Sequence, residues 1–179
     1  MNQATVTPLA SWQNYYVIVG SAAGALTGLQ FVVLTLVAQI KQASSMREIR
    51  AFGSPTVVHF CTALLISALM AAPWQSPANF GILLGLGGVA GVIYSLGTVW
   101  HAWKAAYNPD VLDWIFYAAL PLAAHLALVA ASILLWRNSG WALSIIAADS
   151  LTFVLLGVHN SWDTVTYLAL QNSGQTAKE

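Results

Sequence analysis

The sequence predicts an all-α, polytopic integral membrane protein, a single bundle of about five transmembrane helices. Composition is the first of three observations behind this. Of 179 residues, 58% are hydrophobic and 7% charged, whereas a soluble domain carries roughly 25% charged residues. Too few charges remain to clothe a surface that faces water. Second, apolar stretches run over 15–40, 55–72, 80–103, 114–136 and 141–170. Each reaches the roughly 17–25 residues that cross about 30 Å of hydrocarbon. Third, these runs are continuous rather than alternating, which excludes spanning β-strands.

The elements follow in order. The first run has no Lys or Arg before it and is too long for the apolar core of a signal peptide, so it reads as a helix that stays in the membrane. Like the last run it exceeds one span, and should tilt or protrude. Ser54-Pro55 marks the start of the second helix, with Ser54 as N-cap and Pro55 in the first turn. Pro73 and Pro77 bracket the second loop, Asn108-Pro109-Asp110 the third and Asn138-Ser139-Gly140 the fourth. No internal repeat divides the chain, which reads as one domain over 1–179.

Charge excludes some functions and suggests an orientation. Six Lys and Arg balance six Asp and Glu, so no basic patch offers itself to nucleic acid. Lys41, Arg47, Arg50, Lys104 and Lys178 fall on one side of the expected membrane and Arg137 alone on the other. Cationic loops stay inside, which predicts an outer N-terminus and a cytoplasmic C-terminus. Trp12, Tyr15, Trp74, Trp136 and Trp141 fall at the outer ends of the runs. Trp100, Trp103, Tyr107 and Trp114 fall at the inner ends, forming a second belt. Amphipathic rings prefer such interfaces, and anchoring explains them better than ligand binding. Cys61 is the only cysteine and lies in an apolar run, so it reads as a packing residue with no disulfide to make.

Small residues predict where helices meet. Gly20, Gly24 and Gly28 recur every fourth residue in the first helix, and Gly81 and Gly85 open a glycine-rich third helix. Hiding apolar surface gains nothing in lipid, so close backbone approach through small residues is a main route to association. The first and third helices are expected to contact each other or a second copy of the chain.

The stretch Trp12-x-Asn14-Tyr15-Tyr16, Gly20-x-Ala22, Leu26-Thr27-Gly28-Leu29-x-Phe31-Val32 resembles the opening of a group of small bacterial membrane proteins. Some of them are described as modulators of the membrane protease FtsH. The likeness covers mainly the first helix. It implies a bacterial inner membrane and a part in protein quality control, and it brings no catalytic residues with it.

Polar residues inside the spans are the remaining signal, because a charge at mid-bilayer costs roughly 2.5–3.5 kcal/mol on insertion scales. On the fifth helix Asp149, Thr152, His159, Asn160, Asp163 and Tyr167 share about a third of the circumference at about 100° per residue. His159 and Asp163 are neighbours at four-residue spacing. His59 shares a face with Thr56 and Thr62; His101 ends the face Tyr94, Thr98, His101; His125 follows Pro121 by four. Thr27 and Gln30 are the polar pair of the first helix.

By the expected topology His59, His101, His159 and Asp163 lie at similar depth in the cytoplasmic half. Asn160, Thr98 and Tyr94 would support them, with His125 nearer the midplane and Asp149 toward the outside. Three imidazoles and a carboxylate suit a divalent transition metal or a proton relay; facing histidines such as His59 and His125 would also suit haem iron. The plainer readings stand beside these. His59 and His101 can snorkel to headgroups, His159 and Asp163 can be a structural pair, and Asp149 can be solvated near the surface. No HExxH, CxxC or GxGxxG pattern supports an enzyme. The sequence thus leaves three functions open: a cation-binding or cation-conducting protein, a non-enzymatic regulator that grips a membrane partner or a second copy, and a haem-carrying redox protein.

Overall fold

The structure is a computed structural model. It describes residues 6–40, 46–74, 77–104, 110–137 and 139–176, and side chains within 9–35, 55–74, 79–100, 110–137 and 139–166. Five helices follow one another: α1 (Val6–Ile40), α2 (Met46–Ala71), α3 (Pro77–Lys104), α4 (Val111–Trp136) and α5 (Trp141–Thr176). No strand occurs among the described residues. In α1, α3, α4 and α5 the apolar part is long enough to cross a membrane. The apolar part of α2, Pro55–Ala71, is shorter.

Several expected boundaries move: α1 starts at Val6 rather than residue 15, α3 at Pro77 rather than residue 80, and α5 ends at Thr176 rather than residue 170. Residues 46–54 continue α2 ahead of Pro55, which stands inside the helix rather than in its first turn. Proline removes one helical N–H and crowds the carbonyl four residues back, but it does not start this helix. The charged residues Arg47, Glu48 and Arg50 fall in that leading extension, which is why the apolar part alone suggested a later start. The fourth helix begins at Val111 rather than residue 114. Asp110 caps it, its Oδ1 accepting from the Val111 N–H at 2.7 Å, while Asp113 Oδ2 accepts from the Asp110 N–H at 3.1 Å. This reciprocal arrangement satisfies donors that a helix start leaves orphaned. The second loop lies where expected but is shorter: α2 stops at Ala71, the Trp74 indole donates to the Leu69 carbonyl at 2.5 Å, and Pro77 already belongs to α3. Lys41, Asn108, Pro109, Asn138 and Lys178 lie outside the described residues.

The helices form two antiparallel hairpins, α1 with α2 and α3 with α4, clasped around α5. Half of the apolar window of α5 is buried against 22% for α1 and α3, which makes α5 the central helix. Antiparallel register is read directly from close contacts. A Cβ on Gly20 would lie 2.9 Å from Ser67 Cβ, and one on Gly24 would lie 3.9 Å from Leu64. Along the other hairpin Gly81 faces Trp136, Gly85 faces Ser132, Gly88 faces Val129 and Gly91 faces the His125 ring. The expected glycine faces therefore pack, but each within its own hairpin; α1 and α3 do not run along each other. A Cβ on Gly28 would meet nothing within 4 Å, so this glycine admits no close neighbour in the isolated chain. Cys61 is exposed on α2, not part of the core.

Aromatic residues fasten α1 to α5. Trp12, Tyr15 and Tyr16 form an edge-to-face cluster. Tyr15 donates to the Ala147 carbonyl at 2.6 Å and Tyr16 to the Leu143 carbonyl at 3.4 Å. A tyrosine hydroxyl drawn into an interior usually takes such a partner. At the far end Ser161 Oγ donates to Gln30 Oε1 at 2.9 Å, so α1 and α5 run parallel over most of their length.

Candidate polar seam through the bundle

The side chains expected to gather at one depth divide between two places. His159 is half-buried and stacks on Phe116 with ring centroids 3.6 Å apart. One turn on, Asp163 is exposed and its Oδ2 accepts from the Tyr117 hydroxyl at 3.0 Å. Both contacts come from a π-helical stretch, Trp114–Ala119, where Leu120 N–H bonds the Ile115 carbonyl. Such an i→i+5 turn rotates the residues before it relative to those after, and so carries Phe116 and Tyr117 onto α5. Pro121 follows immediately, and its missing N–H removes one α-helical bond at this place.

His59 points elsewhere. It is fully buried, as is His125, and both rings pack on the buried Phe153, at 6.0 Å and 4.7 Å between centroids. Buried this way His59 cannot snorkel to headgroups. His125 Nδ1 donates to the Pro121 carbonyl at 2.8 Å, with Ser95 Oγ 3.2 Å from the same nitrogen. In a neutral ring that fixes the proton on Nδ1 and leaves Nε2 as acceptor. A haem held by both histidines would have to displace Phe153. Among the described residues no three His, Cys, Asp or Glu side chains come together to hold a metal. The side chains of His101 and Tyr167 lie outside the described residues. Tyr94 is half-buried, and Thr98 donates to its carbonyl at 3.2 Å, an ordinary bond back to the preceding turn.

What the bundle does assemble is a vertical series of buried polar groups along α5. Asp149 is 5% exposed and lies eight residues into the helix, about 12 Å from its start at 1.5 Å per residue. It is buried rather than solvated at the surface, and its Oδ2 has no hydrogen-bond partner. Ser67 Oγ is likewise buried and unpartnered. The contacts of Ser67 with Gly20 and of Tyr15 with Ala147 put Ser67 at about the same level. One turn further, about 6 Å, Phe153 carries His59 and His125; neither nitrogen of His59 has a partner.

The third level holds Gln30, Thr56 and Asn160. All three are buried, and Gln30 Nε2, Thr56 Oγ1 and both amide atoms of Asn160 are unpartnered. The Phe60–Gly157 contact puts Thr56 across from Asn160, and the Ser161 bond brings in Gln30. Thr164, buried one turn beyond, donates to the Asn160 carbonyl at 2.8 Å. Thr164 is the chain neighbour of Asp163, close to Thr166 where the apolar span of α5 ends. From Asp149 to Thr164 the series covers about 22 Å, most of a hydrocarbon core of about 30 Å.

Tyr117, Ser67 and Ser161 were not singled out by the sequence. Serine in an apolar run usually bonds its own helix, and Tyr117 faces α5 only because of the π turn. A proline four residues after the tyrosine is the one available hint. No protein-family model matches the chain, and neither does any curated protein or solved structure.

Proposed function

We propose that the chain is a multi-pass protein of a bacterial cytoplasmic membrane that moves protons along the seam from Asp149 through His59 to Asn160 and Asp163. One observation carries the reading: buried polar atoms without partners recur at three successive levels through the middle of a membrane bundle. An unpaired buried polar group is costly, and intramembrane ionisable residues on the bundle interior mark ion pathways and proton relays. The donor set favours protons over a divalent metal. A hard or borderline metal needs several ligands on one centre, whereas Asp149 and His59 lie a turn apart. Imidazole, carboxyl and hydroxyl groups can each take a proton on one atom and release one from the same or another, and bridging waters can link them. The excess of Lys and Arg between the apolar parts of α1 and α2 supports an orientation with Asp163 toward the cytoplasm and Asp149 toward the outside.

The test is proton flux in vesicles holding a trapped pH dye, driven by a potassium gradient with valinomycin. Wild-type protein should acidify or alkalinise the lumen faster than protein-free vesicles. Asp149→Asn, which keeps the volume and removes the ionisable group, should abolish the difference without lowering thermal stability in detergent. His59→Gln should do the same, and Asp163→Asn should slow flux without stopping it. Wild-type flux equal to that of empty vesicles overturns the reading.

A further inference from the structure

A second feature lies on the outer surface, away from the seam. Between α3 and α4, at the end of the bundle where α4 finishes, a groove of about 600 Å³ is lined by Gly81, Gly85, Leu86, Val89, Ser132 and Arg137 among others. Its volume falls within the roughly 300–1,000 Å³ of small-molecule sites. Gly81 and Gly85 contribute no side chain to it, and the lining is otherwise mostly apolar. We propose that it holds one acyl chain of a glycerophospholipid whose anionic headgroup is paired with Arg137.

The occupant is argued from charge and depth. Arg137 lines the groove where α4 ends and is exposed, and its guanidinium makes no ion pair among the described residues. No described carboxylate can serve it: Asp110 and Asp113 cap the opposite end of α4, Asp149 is buried in the core, and Asp163 bonds Tyr117. Trp136 and Trp141, 62% and 75% exposed, flank this end and mark the headgroup level, where such rings prefer to lie. From Gly81 to Val89 the groove descends about 12 Å, close to half of a hydrocarbon core of about 30 Å. A cation at headgroup level above an apolar slot one leaflet deep matches a phospholipid. Basic pockets between membrane helices bind anionic headgroups in the same way. A second copy fits worse. It would bring another Arg137 or an apolar helix face to this groove, and no carboxylate.

The experiment is native mass spectrometry of delipidated protein in mild detergent, titrated with dioleoyl-phosphatidylglycerol or dioleoyl-phosphatidylcholine. Wild-type protein should retain phosphatidylglycerol more tightly than phosphatidylcholine by about fivefold, the factor one cation near an anionic lipid supplies. Arg137→Gln should bring the two lipids level. Val89→Trp, at a position 48% exposed, should fill the slot and lower retention of both with the melting temperature unchanged. Equal retention of the two lipids by the wild type, a preference kept in Arg137→Gln, or a wild-type dimer that Val89→Trp splits would overturn the proposal. Proton flux plays no part in the readout, so either proposal can fail alone.

Discussion

At the scale of single residues, Gly91 and His125 depend on each other. The ring of His125 lies so close to the Gly91 backbone that a Cβ there would overlap its Cδ2, Nε2 and Cγ atoms. The ring cannot swing aside cheaply, because Nδ1 is held by the Pro121 carbonyl and lies beside Ser95, and Phe153 packs on it. Overpacking a tight interior costs about 1–3 kcal/mol, and here the displaced ring would also lose its hydrogen bond. Gly91→Ala is therefore expected to lower the melting temperature in detergent by several degrees. Gly28→Ala, with nothing within 4 Å, should leave it unchanged or slightly raised, since alanine is the better helix former by about 1 kcal/mol. Equal effects of the two substitutions would show that the α3–α4 contact is looser than described.

Helices are positioned by a few polar fasteners as well as by small residues. The Tyr15 hydroxyl, 2.6 Å from the Ala147 carbonyl, ties α1 to α5 where apolar packing alone would let them slide. A hydrogen bond nets about 0.5–1.5 kcal/mol, so Tyr15→Phe should destabilise by that amount in a reversible detergent unfolding assay. Tyr16→Phe, whose bond is longer at 3.4 Å, should cost less; the reverse order would mean that packing of the two rings, not the bond, fixes the register. At this scale much was legible beforehand. The apolar runs placed all five helices, although α3 starts at Pro77 and not at residue 80; a Cβ on Gly20 or Gly85 would come within 2.9 Å of a serine, while one on Gly28 would meet nothing. The glycines' partners were not legible, because a glycine face states how near a neighbour comes and not which one it is. The polar stripe on α5 shows the same division. Asp149 and Asn160 turn inward, while His159 and Asp163 turn toward α4, a rotation of about a quarter-turn that only packing decides. His59 could be placed at a depth and set facing His125, but the Phe153 ring on which both pack was not legible.

The molecule as a whole makes one geometrical commitment that labelling can test. Parallel α1 and α5 put residue 13 and the α4–α5 turn at the same end of the bundle, and the start of α4 at the other. In a Cys61→Ala background, single cysteines at Gln13, Gly140 and Val111 report on those ends; all three positions are exposed. In intact cells a membrane-impermeant maleimide should label Gln13→Cys and Gly140→Cys, and should reach Val111→Cys only after permeabilisation. The first two must behave alike because the Tyr15–Ala147 and Gln30–Ser161 bonds fix α1 and α5 in one direction. Their agreement tests the fold, whereas the side on which they appear tests the Lys and Arg bias of the loops. Labelling of Val111→Cys alone in intact cells would invert the orientation and keep the architecture, turning the Asp149 end of the seam to the cytoplasm. Labelling of Gln13→Cys with protection of Gly140→Cys would break the architecture itself. In that case α2, whose apolar part is the shortest, is the helix that fails to cross.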